Sequence, residues 1–195
     1  MHPVVCSTIC ALGKENFIML KFIKWVLILI VGLAAILFVG GYFLSPTFTV
    51  TRSATINAPA DKVYALIADP REWKKWSAWN QRDPAMEIIY SGPPSGAGAK
   101  WAWKSKSQGD GEMTFTKTEI GRTLDYALYF PDFKTTSTGG FVLTPEGNAT
   151  KVAWTMNGNM GSNPLFRWFA LNADNMVGKD FAEGLANLKT LAEKS

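Results

Sequence analysis

The stretch FTVTRSATINAPADKVYALIADPREWKKW, Phe48 to Trp76, changes its hydrophobic period halfway along, and that change decides the fold class. Up to Ile56 apolar and polar residues alternate, the pattern of a half-buried strand. At Asn57 or Ala58 a turn opens, Pro59 suits a first helical turn, and Val63, Leu66 and Ile67 make one apolar stripe. Asp69-Pro70 ends this helix, and Pro70 starts a second short one carrying Trp73 and Trp76.

Downstream the text turns to strands. MEIIYS, AKWAWKS, GEMTFTKTEI, RTLDYALYF, GGFVLTP and ATKVAWTMNG are separated by GPPSGAG, QGDG, the Ile120–Arg122 turn, PDFKTTST and PEGN, the rhythm of an antiparallel meander. Period two sets Trp101, Trp103, Met113, Phe115, Leu124, Tyr126, Leu128, Val152, Trp154 and Met156 on one face. Lys104, Thr114, Thr116, Asp125, Lys151 and Thr155 occupy the other, so one face is covered and one is wet. The cover is the last segment, from Asn163 to the C-terminus, in which Val177, Phe181, Leu185, Leu188 and Leu191 or Ala192 recur at helical spacing. A helix of about 30 residues is roughly 45 Å long and reaches across a whole sheet. The order of elements is strand, two helices, six strands, long helix: an α+β domain over residues 45–195.

Upstream, WVLILIVGLAAILFVGGYFL from Trp25 to Leu44 is twenty residues without a charge. That suffices to cross a hydrocarbon layer of about 30 Å, and a transmembrane helix is expected over residues 22–44. A cleaved signal peptide is the competing reading, but the run is long for one and no A-x-A pattern ends it. Lys14, Lys21 and Lys24 precede the segment, and Arg52 and Lys62 follow it within twenty residues. The positive-inside tendency therefore puts the N-terminus in the cytoplasm and the domain on the periplasmic side of a bacterial inner membrane. Residues 1–21 form a separate N-terminal segment without periodicity, and translation starting at Met19 is an alternative to Met1.

Composition narrows the chemistry. His2, Cys6 and Cys10 are the chain's entire complement of His and Cys, and all precede the apolar run. Residues 45–195 thus offer no imidazole base, no catalytic triad, no Cys/His zinc site and no disulfide, and no cofactor is expected. The formal net charge is +4, and between Ser45 and Ser195 17 basic residues face 15 acidic ones. Without a dense Lys/Arg run, the tryptophan-and-lysine text REWKKWSAWN is not a nucleic-acid surface. The glycines of YSGPPSGAGAK lack a lysine-serine ending and lead into a strand, so they read as a hairpin or lid near a cavity rather than a phosphate loop.

The segments INAPADKVYALIADPREWKKWSAWN, YSGPPSGAGAKWAWKS, GFVLTP, ATKVAWTMNG and NMVGKDFAEGLANLKTLAEK together resemble the START-like (SRPBCC) superfamily, in particular its polyketide cyclase/dehydrase-like, membrane-anchored branch. The resemblance covers nearly all of residues 47–195. It implies a helix-grip fold, with a curved antiparallel sheet wrapped around a long C-terminal helix and a hydrophobic cavity between them. Members of the superfamily bind lipids, sterols or polyketides there; some are cyclases, and others are co-chaperone-like.

Candidate ligand-contacting residues follow from parity and from that resemblance. Continued helically, Trp73, Trp76 and Trp79 spread over about 60° and form one ridge, which reads as core, as cavity rim or as a membrane-facing surface. Trp76 and Trp79 are candidates on that basis. Trp101, Trp103 and Trp154 on the covered sheet face, with Tyr126, Phe141, Met156, Met176 and Phe181, would give an aromatic and sulfur-rich wall, or else fill the core. Arg52 shares parity with Val50 and Ile56; buried, it would need an acid partner or an anionic ligand head, and near the strand's start it reaches solvent. Gly178 and Gly184 in the long helix allow close approach or leave room for a ligand. The expected function is binding of a hydrophobic small molecule or lipid by a membrane-tethered module. A cyclase, dehydrase or aromatase acting by positioning is one alternative, and a co-chaperone-like interaction module is the other.

Overall fold

The alternation between Phe48 and Ile56 is realised as strand β1 (Thr47–Ile56), whose even positions from Val50 turn inward. The structure, a computed structural model, describes the backbone of residues 4–132 and 134–194 and the side chains from Met19 onward within them. After β1 come helices α2 (Ala60–Ala68), α3 (Trp73–Trp76) and α4 (Ala78–Arg82), then strands β2 (Glu87–Ser91), β3 (Lys100–Lys104), β4 (Gly111–Glu119), β5 (Thr123–Phe130), β6 (Thr135–Glu146) and β7 (Ala149–Asn159). Helix α5 (Pro164–Lys194) closes the chain, and α1 (Val4–Tyr42) precedes the domain.

The seven strands form one antiparallel sheet in the order β1-β7-β6-β5-β4-β3-β2. A register shift in β4 between Phe115 and Lys117 inserts an extra residue against β5, the kind of bulge that bends a strand and coils a sheet. The covered and wet faces fall where period two set them: Met113, Phe115, Leu124, Tyr126, Val152 and Trp154 are buried, and Lys104, Thr116, Asp125 and Lys151 are exposed. Strand β6 begins earlier than its text suggested. TTST, read as loop, pairs with the end of β5 from Phe130↔Thr135 onward, because alternating Thr residues suit a strand as well as a turn.

Helix α5 lies in the concave side of the sheet, which gives the helix-grip arrangement. Phe181, Leu185, Leu188 and Ala192 are essentially fully buried. Each of the larger three contributes roughly 1.5–3 kcal/mol by leaving water. Polar ties fix its length: Asp174 to Arg52, Asp180 to Arg82, the Asn187 amide to the Trp76 carbonyl, and Glu193 to the backbone N–H of Asn57.

One N-terminal helix is long and apolar enough to span a membrane, from Met19 to Tyr42 within α1. The opening stretch, read as without periodicity, is helical from Val4, so the helix runs on upstream of the apolar segment. The side chains of His2, Cys6 and Cys10 lie outside the described residues.

Candidate functional site

Between the sheet and α5 lies a cavity of about 270 Å³. Its wall comes from Trp101 and Trp103 of β3, Met113 of β4, Tyr126, Leu128 and Phe130 of β5, Trp154 and Met156 of β7, and Met176, Val177 and Phe181 of α5. Trp73, Ser77, Trp79, Asn80 and Met86 close one side, and Gln108 and Asp180 add polar groups. Met176 is half exposed, which places an opening beside α5. The volume sits just under the lower end of small-molecule sites, about 300 Å³. It admits a compact apolar molecule or one end of a longer one.

Eight residues singled out from sequence line this cavity: Trp79, Trp101, Trp103, Tyr126, Trp154, Met156, Met176 and Phe181. Trp76 and Phe141 are both fully buried and lie behind it. Trp76 fails to join a ridge because the helix does not continue. Ser77 takes an extended backbone, φ −65° and ψ 129°, ends α3 and starts α4. Trp76 then points into the core, its indole N–H donating to the Leu66 carbonyl at 3.1 Å, while Trp79 swings onto the cavity. Phe141 shares the covered face, but its ring is enclosed by Trp73, Trp76, Tyr126 and Trp154. Trp73, which the spacing placed with the ridge, reaches the cavity from within this cluster and packs on Trp101 at 5.1 Å.

The wall's packing is specific. Trp154 stacks on Phe181 at 3.8 Å and 8° between planes, and on Phe141 at 4.8 Å on its other side. Gly184 makes this possible, since a Cβ there would sit 3.1 Å from the Trp154 ring; the close-approach reading of this glycine is the one realised. Tyr126 crosses Gly139 on the neighbouring strand, where any side chain would collide with the phenol.

Most of the wall's donors are satisfied within the protein. Trp154 donates to the Tyr126 hydroxyl at 3.0 Å, and that hydroxyl donates to the Thr155 carbonyl at 3.2 Å. Trp73 donates to the Ile67 carbonyl at 2.8 Å and Trp103 to the Gly109 carbonyl at 3.1 Å. Burial holds the Tyr126 phenol well above its ordinary range, with the Trp154 hydrogen bond pulling weakly the other way, so it stays protonated at neutral pH. At the rim, Arg82 of α4 reaches Asp180 through a short contact and Glu183 at 3.6 Å. The Asp180 hydrogen bond raises the guanidinium further above its ordinary value.

Arg52 finds a protein partner at the seam between β1 and α5. It donates to both Asp174 carboxylate oxygens, at 2.8 and 3.0 Å, and to the Asp174 carbonyl at 3.1 Å. Its guanidinium lies over Gly178, where a Cβ would collide with it. The glycine-rich loop between β2 and β3 is no lid over the cavity. It contributes no lining residue and is tied elsewhere, with Gly96 N–H donating to the Ala68 carbonyl at 3.0 Å and Gly98 N–H to the Phe115 carbonyl at 2.8 Å. Among the described residues, no group of three or more His, Cys, Asp or Glu side chains gathers to hold a metal.

A seven-stranded antiparallel grip around one long helix, enclosing an aromatic cavity, is the architecture of the START-like class. The sequence model of the family described as polyketide cyclase / dehydrase and lipid transport matches residues 47–193, and the chain belongs to that family. Among solved structures the chain is similar to protein CV1439 from Chromobacterium violaceum, with 16% identity, 74% of this chain and 96% of that one covered, and a TM-score of 0.56. It is similar to the Aha1 dimer protein from Colwellia psychrerythraea, with 20% identity, coverage of 74% and 96%, and a TM-score of 0.52. It is also similar to Ara h 8.0201, with 12% identity, coverage of 76% and 99%, and a TM-score of 0.56. At these identities the likeness is one of fold. A comparison with functionally curated proteins gives no match.

Proposed function

We propose that this protein binds a hydrophobic small molecule or lipid moiety in the cavity between sheet and α5, while α1 holds the domain at a membrane. The observation that carries the reading is the cavity itself: an aromatic and thioether wall, with polar groups at Ser77, Asn80, Gln108 and Asp180. Such a distribution suits a ligand with an apolar body and one polar end. The lysines before the apolar run support an orientation with the domain on the periplasmic side of a bacterial inner membrane. Enzymatic cyclisation or dehydration is the weaker reading. The ionisable side chains on the wall are Tyr126, held protonated, and Asp180, paired with Arg82, and neither is poised as a base.

The test grows cells on a photoactivatable diazirine fatty acid, irradiates them, purifies the full chain and maps adducts by peptide mass spectrometry. Adducts are expected on peptides bearing Trp101–Met113 and Met176–Phe181, and they should vanish from both in a cavity-filling Leu128→Trp variant that keeps its near-ultraviolet circular dichroism. Adducts confined to α1 in the wild type would overturn cavity binding.

A further inference from the structure

The first two turns of α5 carry an apolar surface that the fold leaves uncovered. Leu165, Phe166, Trp168, Phe169 and Leu171 are all exposed, Leu171 at 63%. They do not sit on a remote corner of the domain. The Trp168 indole N–H donates to the Leu37 carbonyl of α1 at 3.0 Å, and Arg167 donates to the carbonyls of Tyr42 and Leu44 at 3.2 and 3.3 Å. Gly41 lets the two helices meet, because a Cβ there would collide with the Pro164 carbonyl.

Helix geometry sets the depth of this contact. From Lys24, the last charge before the apolar run, a rise of 1.5 Å per residue carries the chain about 30 Å by Leu44, one hydrocarbon thickness. Leu37 then lies about 10 Å inside the far boundary. A segment bonded to its carbonyl is at least partly below the headgroups. The Trp168 N–H and the Arg167 Nη1 group already donate to α1 carbonyls, which suits that depth, while the Arg167 Nε is buried without a hydrogen-bond partner among the described residues. Around the α5 axis, Leu165, Phe169 and Met176 fall within about 40° of one another, with the exposed Asn172 between the last two, so this face leads from the anchor toward the cavity opening, while Leu171 projects from the other side of the helix.

We propose that residues Leu165–Leu171 form a second membrane contact, seated in the bilayer interface beside α1, which holds the Met176 side of the cavity at the lipid surface. The occupant is the lipid of the membrane that α1 crosses, because the patch is continuous with the apolar surface of that helix. The proposal rests on the membrane placement of α1 above.

The experiment attaches the fluorophore NBD to single cysteines in full-length protein lacking Cys6 and Cys10, reconstituted in phosphatidylethanolamine and phosphatidylglycerol vesicles with or without nitroxide-labelled acyl chains. Labels go at Phe169 and at Leu171, with Ile30 in mid-α1 as the membrane reference and Asn148, in the β6–β7 turn at the far end of β1's partner strand, as the aqueous one. Quenching several-fold stronger at Phe169 and Leu171 than at Asn148, together with quenching at Ile30, is the expected result. Quenching at Ile30 with Phe169 and Leu171 no more quenched than Asn148 overturns the second contact and leaves the anchor standing. No quenching at Ile30 overturns the membrane placement, and this proposal with it.

Discussion

Replacing Phe181 by alanine tests whether the cavity wall is the packed assembly described above. Phe181 is 1% exposed, lies flat on Trp154 at 3.8 Å and meets Trp79 edge-on at 6.1 Å. Truncating a fully packed aromatic ring costs about 3–5 kcal/mol, of which each ring pair supplies roughly 0.5–1.5. Two features pull the value down. One side of the ring borders existing empty space, so less packing is lost there, and alanine favours the helix by about 0.5 kcal/mol. The expected cost is about 3 kcal/mol, or about 6–12 °C in Tm for a domain of this size. Denaturant unfolding of the full chain in detergent micelles, followed by tryptophan fluorescence, measures it. The enlarged cavity should then accept a bulkier apolar ligand, which at a hundred times its Kd restores about 2.7 kcal/mol. A loss below about 1 kcal/mol would refute the reasoning, since even the transfer of a buried ring exceeds that.

Gly184→Ala is expected to be neutral or destabilising, in contrast to its helix propensity. The gain of about 1 kcal/mol is offset by overpacking of about 1–3 against Trp154, which cannot retreat from Phe141; unfolding midpoints measure the balance. Tyr126→Phe leaves the Trp154 N–H buried without its acceptor and should cost about 1–3 kcal/mol, yet the tyrosinate absorbance rise near pH 10 should match that of the wild type. Asp174 is held below the ordinary carboxylate range by its hydrogen bonds from Arg52, and Glu193 by the Asn57 N–H. Because these pKa values are depressed in the folded state, their stabilisation is present above the unfolded value of about 4 and is lost as pH falls toward the folded ones. Tm measured from neutral pH downward should therefore fall less steeply in Asp174→Asn than in the wild type, and an unchanged slope would refute the assignment.

The sheet was legible because strands advertise a period of two, and the faces assigned to Met113, Tyr126 and Trp154 follow from that alone. What parity leaves out is depth along a strand. Phe141 and Tyr126 share a face, yet the first is enclosed by rings and the second borders open space. The tryptophan ridge failed at Ser77, where no proline or glycine interrupts WKKWSAWN; a serine suits the N-cap of α4 as well as a helix surface, and the Trp76 carbonyl at the break accepts from the Asn187 amide. For Gly184 the sequence left two reasons open, and the flat Trp154 ring chose between them. The acid partner of Arg52 lies 122 residues away, a pairing no local pattern carries.

The closed hydrogen bonds of Trp73, Trp103, Trp154 and Tyr126 bear on how this site would tell one guest from another. Where the wall has already given away its protons, it sorts molecules by contour. Each methylene that fits or clashes is worth about 1–3 kcal/mol, or roughly 10–200-fold. A hydroxyl set against Trp73, Trp103, Trp154 or Tyr126 would find their donors already used and would lose its hydration, whereas one beside Ser77, Asn80, Gln108 or Asp180 would meet a polar group. Chain length and branching would be discriminated there, and two molecules of the same outline along that part of the wall would be treated alike.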